Sequence, residues 1–450
     1  MDRGWTLSRS RVVPVAVTVA LSVLPVGARG GSLDTLAAEA AARLGPLPGP
    51  GVVVAAPVAS DEPGRSDHLA VHLAALVARQ LGAGMTASRD TSELEGMPIG
   101  ARATIFLRTS IVRGYVRMTA ELYSAATNIW DRVRKPVTTP TRKADATAKI
   151  DAQARVFLTP LNLEAAEVRR FRLDEDDVLA AACAEPDGGA GDELLLVSRR
   201  RVALGRLRDG VLSVERSAAW NDLLPRASIP MREPLGGAVA GAGMILVGST
   251  DYGGVAVSSD LSNPERLAGI PVWGGRRPAC LVPQPSAGAF DGAPIDCAPS
   301  RDPKPALIVP APRFDAFAAT DVIDPKGQAR TLVTVREPSG RIQLKWGDED
   351  GAVQGPFGAQ IAAADLDQDG FPEVVTSTGG IVIDAIDVAS IVAAGSPPRP
   401  RLHLPTPAPV RALAICPPGE FGSPAVAAVV GKEVWLVRAE LAGPAKGRPK

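Results

Sequence analysis

Short apolar runs separated by turn residues fill the chain from about residue 178 onwards. Small-residue segments alternate there with β-branched segments, and runs of this length bounded by Gly, Pro and Asp predict strands. The small-residue segments are Leu179–Cys183, Gly236–Ala240, Arg277–Cys280, Phe317–Asp321, Ile361–Asp365 and Ala412–Cys416. The apolar segments that follow them are Leu194–Val197, Met244–Val247, Leu307–Val309, Thr331–Val335, Val374–Thr376 and Val426–Val430.

The spacing of these segments indicates an internal repeat. The small-residue segments recur about every 40 to 57 residues, and in five of the six repeats a third strand is predicted. These third strands are Val202–Leu207, Gly254–Ser258, Arg341–Trp346, Ile381–Ala385 and Glu433–Arg438. Such a period is typical of a β-propeller, whose crowded centre favours small side chains. We therefore predict an all-β propeller over residues 178–440 with six blades; a seventh blade, or a β-sandwich, is the alternative.

The third repeat is irregular. A segment rich in Pro, Gly and Ala separates Cys280 from Leu307, and little chain remains for outer strands before Phe317. The propeller is therefore expected to contain one degenerate blade.

The region before the repeats has a mixed pattern of helices and strands. We predict an α/β domain over residues 32–165 and a linker over residues 166–177. Its predicted helices are Leu33–Leu44, Ser66–Leu81 and Thr141–Phe157. Its predicted strands are Val52–Val58, a short one near Met85, a hairpin of Ala103–Arg108 with Ile111–Leu122, and Asn128–Arg134. Two segments of this region resemble the N-terminal domain of TolB and its FlgO-like relatives. They are VVVAAPVASDEPGRSDHLAVHLAALVARQL and ARATIFLRTSIVRGYVRMTAELYSAATNIWDRV. This resemblance implies a protein-contact module of the cell envelope.

The first 28 residues have the features of a secretory signal peptide. Arg3, Arg9 and Arg11 precede the apolar run Val12–Val26, and small residues follow it. We expect a periplasmic or secreted protein without a membrane span after cleavage; an uncleaved anchor is the alternative. At the other end, residues 441–450 are predicted to be a disordered basic tail.

The composition narrows the range of partners. Lys and Arg together number 49, as do Asp and Glu, and aromatic residues make up 4% of the chain. A chain without net charge and with few stacking side chains is not expected to bind nucleic acid.

Four cysteines are compatible with two disulfides in an exported protein. Cys280 and Cys297 are close in sequence, and Cys183 and Cys416 take equivalent places in the first and last repeats. The second pair can form if those repeats are neighbours. Free thiols are the alternative for both pairs.

The segment from Asp365 to Glu373 has the pattern of a calcium loop. Asp365, Asp367 and Asp369 alternate before Gly370, and carboxylates arranged in this way suit a hard cation. A helix–loop–helix calcium motif would need an acidic residue three positions after Glu373, where Thr376 stands. We therefore predict a shorter loop that binds one structural calcium ion, with the backbone carbonyl of Phe371 as a further ligand. A solvated acidic turn without metal is the alternative.

This part of the chain resembles the FG-GAP/VCBS repeats of integrin-type propellers, in which a strand is followed by the pattern D-x-D-x-D-G-x-x-[DE] and then by a second strand. The resemblance implies that Asp365, Asp367, Asp369 and Glu373 are calcium ligands. Asp321 and Asp324 form a degraded copy, to which no metal is assigned. Cys183 and Cys416 replace the first aspartate in their own repeats.

Motifs for catalysis are weak in this sequence. Neither G-x-S-x-G nor a phosphate-binding loop occurs. His68 and His72 lie one helical turn apart, but Leu69 stands where a zinc protease needs glutamate, so both are predicted to be solvated. We expect a non-enzymatic envelope protein that binds an envelope or extracellular partner through a calcium-stabilised propeller. The alternatives are a propeller hydrolase or lyase acting on an extracellular polymer, and a purely structural surface protein.

Overall fold

The computed structural model describes residues 32–441 except 48, 57–65, 83–84, 89–102, 113, 125–139, 160, 185–192, 226–233, 242–243, 285–288, 299–303, 326–327, 394–397 and 419–422. Among these residues, no helix is both long and apolar enough to cross a membrane. The predicted signal peptide, the strand Asn128–Arg134 and nearly all of the predicted tail lie outside the described residues.

The N-terminal region, residues 32–156, is a five-stranded sheet covered by helices. The helices are α1 (Ser32–Leu44), α2 (Ser66–Leu81) and α3 (Ala152–Val156). The strands are β1 (Gly51–Ala55), β2 (Met85–Ser88), β3 (Ala103–Val112), β4 (Tyr115–Ser124) and β5 (Arg142–Lys149). In the order β2-β1-β3-β4-β5, β1 is parallel to both of its neighbours and the other pairs are antiparallel. Leu36 of α1 and Leu73 of α2 share one apolar core with Ile105 of β3.

Two predictions in this region are wrong in detail. The helix predicted over Thr141–Phe157 is instead strand β5 followed by the short helix α3. The residues of β5 favour helices individually, but Ala144 and Ala146 alternate with exposed side chains and pair with β4, so sheet packing decides the conformation. The hairpin turn lies at Gly114 (φ 79°), so Ile111 belongs to the first strand of the hairpin.

The β-sheet region, residues 161–441, contains the repeats. Three of its sheets are four-stranded and antiparallel. They contain β11 (Gly236–Gly241), β12 (Met244–Ser249), β13 (Gly253–Val257) and β14 (Glu265–Arg266); β20 (Ala316–Ile323), β21 (Ala329–Arg336), β22 (Arg341–Trp346) and β23 (Glu349–Gln354); and β24 (Phe357–Ala364), β25 (Glu373–Thr378), β26 (Val382–Asp387) and β27 (Leu402–Pro405). Two short helices, α4 (Trp220–Leu223) and α5 (Val388–Val392), follow outer or third strands. The second and third strands of these sheets agree closely with the predicted ones.

The first and last repeats share one eight-stranded sheet. Its order is β28-β29-β30-β6-β10-β9-β8-β7. The strands are β6 (Leu161–Arg172), β7 (Val178–Ala184), β8 (Glu193–Ser198), β9 (Arg201–Arg208), β10 (Val211–Ala219), β28 (Val410–Cys416), β29 (Ala425–Val430) and β30 (Glu433–Leu441). Strand β6 pairs antiparallel with β30 and meets β10 at the single pair Arg172–Val211.

Strand β6 corrects the predicted linker. Residues 166–172 are not a linker, because they belong to β6 and complete the sheet of the last repeat. Leu161 and Leu163 pack in one core with Trp435 and Val437, which explains why this stretch is ordered into a strand. In the sequence, apolar and polar residues alternate over Leu161-Asn-Leu163-Glu, and this alternation indicates a strand.

The third repeat departs most from the prediction. Its first strand is β15 (Ile270–Trp273), and Arg277–Cys280 instead contributes to the second strand, β16 (Pro278–Leu281). The segment Leu307–Val309 is not a strand; two isolated bridges, Cys280–Ile295 and Ile295–Pro305, extend the sheet. A separate small sheet follows the β15–β16 pair. Its strands are β17 (Pro283–Gln284), β18 (Ala289–Asp291) and β19 (Arg313–Phe314).

The first strands of the six repeats are neighbours in sequence order. Strand β7 contacts β11, and the series continues through β15, β20 and β24 to β28, which in turn contacts β7. The small side chains predicted for these strands allow neighbouring first strands to approach closely. A Cβ atom on Gly237 of β11 would lie 2.2 Å from the carbonyl oxygen of Pro271 in β15, so only glycine permits this approach.

Candidate metal centre

The predicted calcium loop connects the first and second strands of one repeat. Strand β24 ends at Ala364 and β25 begins at Glu373. The chain turns through Gln368 (φ 55°) and Gly370 (φ 89°), both in the left-handed region. A Cβ atom on Gly370 would lie 2.9 Å from Cδ of Pro325 in the neighbouring β20–β21 loop, so the two loops are in close contact.

Carboxylates hold the backbone of this loop. Asp365 accepts hydrogen bonds from the N–H groups of Asp369 and Gly370, each at 3.0 Å. Asp369 accepts from the N–H of Phe371 at 2.9 Å, and Glu373 Oε2 accepts from the N–H of Leu366 at 2.8 Å. The loop is thus shaped by the same acidic residues that were predicted to bind metal.

Three of the predicted ligands converge. Oxygens of Asp365, Asp367 and Glu373 lie within 4.8 Å of one another, and the side chains of Asp367 and Glu373 are 0% exposed. Asp369 lies beside this group and shares a partner with it. Ligation by the carbonyl of Phe371 stays a prediction; its side chain is exposed.

That shared partner is Arg401, which no sequence pattern indicated. Its guanidinium lies 2.5 Å from Oδ2 of Asp367, 3.2 Å from Oε1 of Glu373 and 3.5 Å from Oδ2 of Asp369. Arg401 immediately precedes β27, and pairing of β27 with β26 brings it to the loop. Its backbone N–H donates to the carbonyl of Ala385 at 2.8 Å.

The crowding of these carboxylates changes their acidity. Burial raises the pKa of Asp365 well above its usual value, and Asp369 and Asp367 add to the effect. Burial and then Asp365 and Asp367 do the same to the pKa of Glu373. The pKa of Asp369 rises to about 6, through burial and the charge of Asp367. One guanidinium therefore does not offset the repulsion within the group.

The residues present fit a calcium ion. All side-chain donors in the group are carboxylate oxygens, the type of ligand that calcium prefers. Three acidic side chains share one arginine and Asp365 lies beside them, so a further cation would reduce the repulsion within the group.

The degraded copy, at the end of β20 and in the β20–β21 loop, has a different arrangement. Asp321 accepts a hydrogen bond from Oγ1 of Thr331 at 2.6 Å and from Nε of Arg276 at 3.0 Å. Asp324 accepts from the N–H of Gln328 at 2.8 Å and pairs with Nε of Arg330 at 3.2 Å. Each carboxylate has its own arginine, and among the described residues these two do not join an acidic group that could hold a metal.

Both cysteine pairs are disulfides in the structure. Cys183 of β7 is bonded to Cys416 of β28, and Cys280 is bonded to Cys297, with Cα atoms 4.9 Å apart in each case. The first bond lies between the neighbouring first strands of the first and last repeats. Cys183 and Cys416 stand at the end of the strands that also carries Asp321 and Asp365, which we call the loop end.

A cleft of about 1580 Å³ lies between the N-terminal region and the loop end. One side is formed by β1 and α2, and the other by loops of several sheets. Lining residues include Val54, His72, Trp273, Asp321, Asp365 and Ile415.

One histidine in the cleft corrects the sequence prediction. His72 is not a solvated surface residue, since its ring packs against Phe157 with centroids 4.7 Å apart. Burial lowers the pKa of His72 to about 4, although Asp34 acts in the opposite direction. His72 is therefore neutral at physiological pH.

Comparisons with known proteins give only distant similarities. No family model and no curated protein matches this chain. Among solved structures, AofleA from Arthrobotrys oligospora is 8% identical with a TM-score of 0.36, covering 64% of this chain and 95% of that one. TolB from Acinetobacter baumannii is 13% identical with a TM-score of 0.27, covering 88% and 95%. The soluble aldose sugar dehydrogenase from Escherichia coli is 12% identical with a TM-score of 0.37, covering 62% and 100%.

Similarities with TM-scores below 0.5 do not indicate what this chain binds or catalyses. The description of the chain as mostly β with several sheets rests on its own strand pairing. The FG-GAP/VCBS and TolB-like resemblances stay predictions.

Proposed function

We propose that this protein is an exported, non-enzymatic binding protein of the cell envelope that holds a partner in the cleft between its N-terminal region and its β-sheet region. The observation that carries this proposal is the cleft itself. Its volume of about 1580 Å³ exceeds the roughly 300–1,000 Å³ of ordinary small-molecule sites. A polypeptide segment of an envelope or extracellular protein is the ligand that suits this size.

The chemistry of the lining supports a protein partner. Ile323 and Ile415 provide apolar surface, and Trp273 is 46% exposed there. Exposed aromatic side chains surrounded by polar groups are typical of contact sites. Asp321, Arg276 and Gln328 supply the polar groups around them.

We propose further that the six repeats form a closed propeller of six blades. The cyclic contacts of the first strands support closure, since β28 returns to β7. Strand β6 joins the two ends of the repeat series in one sheet, and the Cys183–Cys416 bond links their first strands. In this architecture the loop end is one face of the propeller.

Calcium has a structural role in this proposal. Asp365, Asp367, Asp369 and Glu373, with the carbonyl of Phe371, would hold one ion and stiffen the loop. Calcium should then raise the melting temperature relative to EDTA, because ligand that binds only the folded state stabilises it. The variant Asp367→Ala should lose this response; an equal response in both proteins would exclude this site.

Export is supported by the two disulfides. Disulfides persist in oxidising compartments such as the periplasm and the extracellular space. The predicted signal peptide over residues 1–28 points to the same destination.

Site-specific photocrosslinking tests the binding proposal. A photoreactive amino acid replaces Trp273 in the cleft or, as a matched control, Val214, an exposed apolar residue of β10. In cells that express the full chain, a discrete crosslinked protein is expected from position 273 and not from position 214. Absence of a product at 273, or the same products at both positions, would contradict a partner in the cleft.

A further inference from the structure

The guanidinium of Arg401 uses the same oxygens that a metal ion would need. Glu373 Oε2 accepts a hydrogen bond from the N–H of Leu366, and Arg401 contacts the other oxygen, Oε1, at 3.2 Å. Asp367 Oδ2, at 2.5 Å, is taken in the same way. Two of the three converging carboxylates therefore already have a cationic partner.

We propose that Arg401 is a built-in competitor of calcium: it contacts the carboxylates in the metal-free protein and leaves them when calcium binds. This inference rests on the calcium site proposed above and adds its regulation. Calcium lies about 2.3–2.6 Å from its oxygen ligands. An ion at that distance from Asp367 and Glu373 would stand next to the guanidinium, and the two positive charges repel each other.

Arg401 can leave without rearranging the sheet. Its backbone is fixed at the beginning of β27 by the hydrogen bond to Ala385. Its side chain is 33% exposed, so rotation about its own bonds takes the guanidinium into water. The loop, by contrast, is held by backbone hydrogen bonds to Asp365 and Glu373, which stay in place in either state. The exchange therefore involves one side chain and one ion.

Calcium titration of three variants tests the competition. The full chain is stripped of metal and titrated with calcium in a calorimeter. Arg401→Gln removes the competing charge, and Arg401→Lys keeps a charge without the planar fork. The matched control is Arg330→Gln, because Arg330 pairs with an acidic residue of the neighbouring loop and is 30% exposed.

We expect Arg401→Gln to bind calcium at least about tenfold more tightly than the natural chain, the change that loss of one charge-assisted hydrogen bond gives. Arg401→Lys should lie between the two, and Arg330→Gln should match the natural chain. If Arg401→Gln does not fold without metal, the comparison of Arg401→Lys with the natural chain decides.

The outcomes separate this inference from the proposed calcium site. Equal calcium affinity in the natural chain and the Arg401 variants overturns the competition but leaves the site intact. No calcium binding in any of the proteins overturns the site itself. An equal gain in Arg330→Gln would show a general charge effect and also overturn a specific role for Arg401.

Discussion

Two regions of the loop end are held together by different chemistry. At the seam between the first and last repeats, Cys183 and Cys416 are joined covalently, and β6 pairs with β30. The equivalent positions are Asp321, near the end of β20, and Asp365, the first residue of the β24–β25 loop. There the contacts are ion pairs and hydrogen bonds to carboxylates.

This difference separates a permanent contact from an adjustable one. A disulfide does not respond to calcium or salt, whereas carboxylate–arginine contacts respond to salt and to competing cations. A structure built from repeats can thus fix its two ends and still keep a neighbouring loop sensitive to its surroundings.

Removing the seam disulfide should have the largest effect. The double variant Cys183→Ser/Cys416→Ser opens a link between residues 233 positions apart. Loss of a link that closes a loop this long is expected to lower the free energy of unfolding by roughly 5 kcal/mol. Urea unfolding followed by circular dichroism measures the change.

The second disulfide provides the control for that measurement. Cys280→Ser/Cys297→Ser opens a link across only 17 positions, for which the loss is about 3 kcal/mol. Equal losses for both double variants would mean that loop length does not matter here. No loss at the seam would mean that β6 alone holds the two ends together.

Lowering the pH tests a third contact near the loop end, the packing of the His72 ring against Phe157. The pKa of His72 is about 4 in the folded chain against 6.5 in the unfolded chain, because burial disfavours the charged ring. Between these values the unfolded chain binds more protons, so stability falls as the pH drops from about 6.5 towards 4, by up to about 3 kcal/mol. Urea unfolding at pH 7.5, 5.5 and 4.5 should show this loss in the natural chain.

The variant His72→Gln isolates this contribution from other acid-sensitive groups. It should show a smaller loss over the same pH interval. The difference between the two proteins should be the same with the seam disulfide oxidised or absent. Parallel pH curves for His72→Gln and the natural chain would contradict the assignment.

The loop contacts should be weaker than the seam. Arg401→Gln in EDTA leaves Asp367 and Glu373 without their cation and should cost about 1–3 kcal/mol, since the arginine is partly exposed. Saturating calcium should recover most of this loss. Urea unfolding with EDTA and with calcium makes the comparison, and a loss that calcium does not reduce would contradict it.

Local patterns predicted much of this arrangement. Second strands such as β8 and β29 contain continuous apolar runs, and Asp365, Asp367 and Glu373 lie within nine residues whose spacing alone implies convergence. Outer strands were not predicted, because a segment such as Glu349–Gln354 in β23 has no apolar periodicity. Its conformation depends on pairing with β22.

Contacts between distant parts of the chain were beyond local patterns. Arg401 lies 28 residues from Glu373 and 34 from Asp367, and only the register of β26 and β27 brings it to them. Strand β6 is also distant in sequence from its partner β30: Glu167 and Arg438, which form an ion pair between them, are 271 residues apart. The cysteine pairing could be proposed because the repeat supplied long-range information that the arginine lacked.

The smallest effect is expected at Asp321, in the degraded copy of the loop. Asp321→Asn removes the charge that pairs with Arg276, an arginine that is 68% exposed, and exposed pairs contribute up to about 1 kcal/mol. The amide oxygen of asparagine can still accept the hydrogen bond from Thr331. We therefore expect a loss of at most about 1 kcal/mol in urea unfolding and an unchanged rise in melting temperature on adding calcium. A reduced calcium response would mean that the β20–β21 loop also binds the ion, so that the difference between the two loops would be one of degree. An unchanged response alongside the loss of response in Asp367→Ala would assign calcium to the β24–β25 loop alone, although the two loops are in contact.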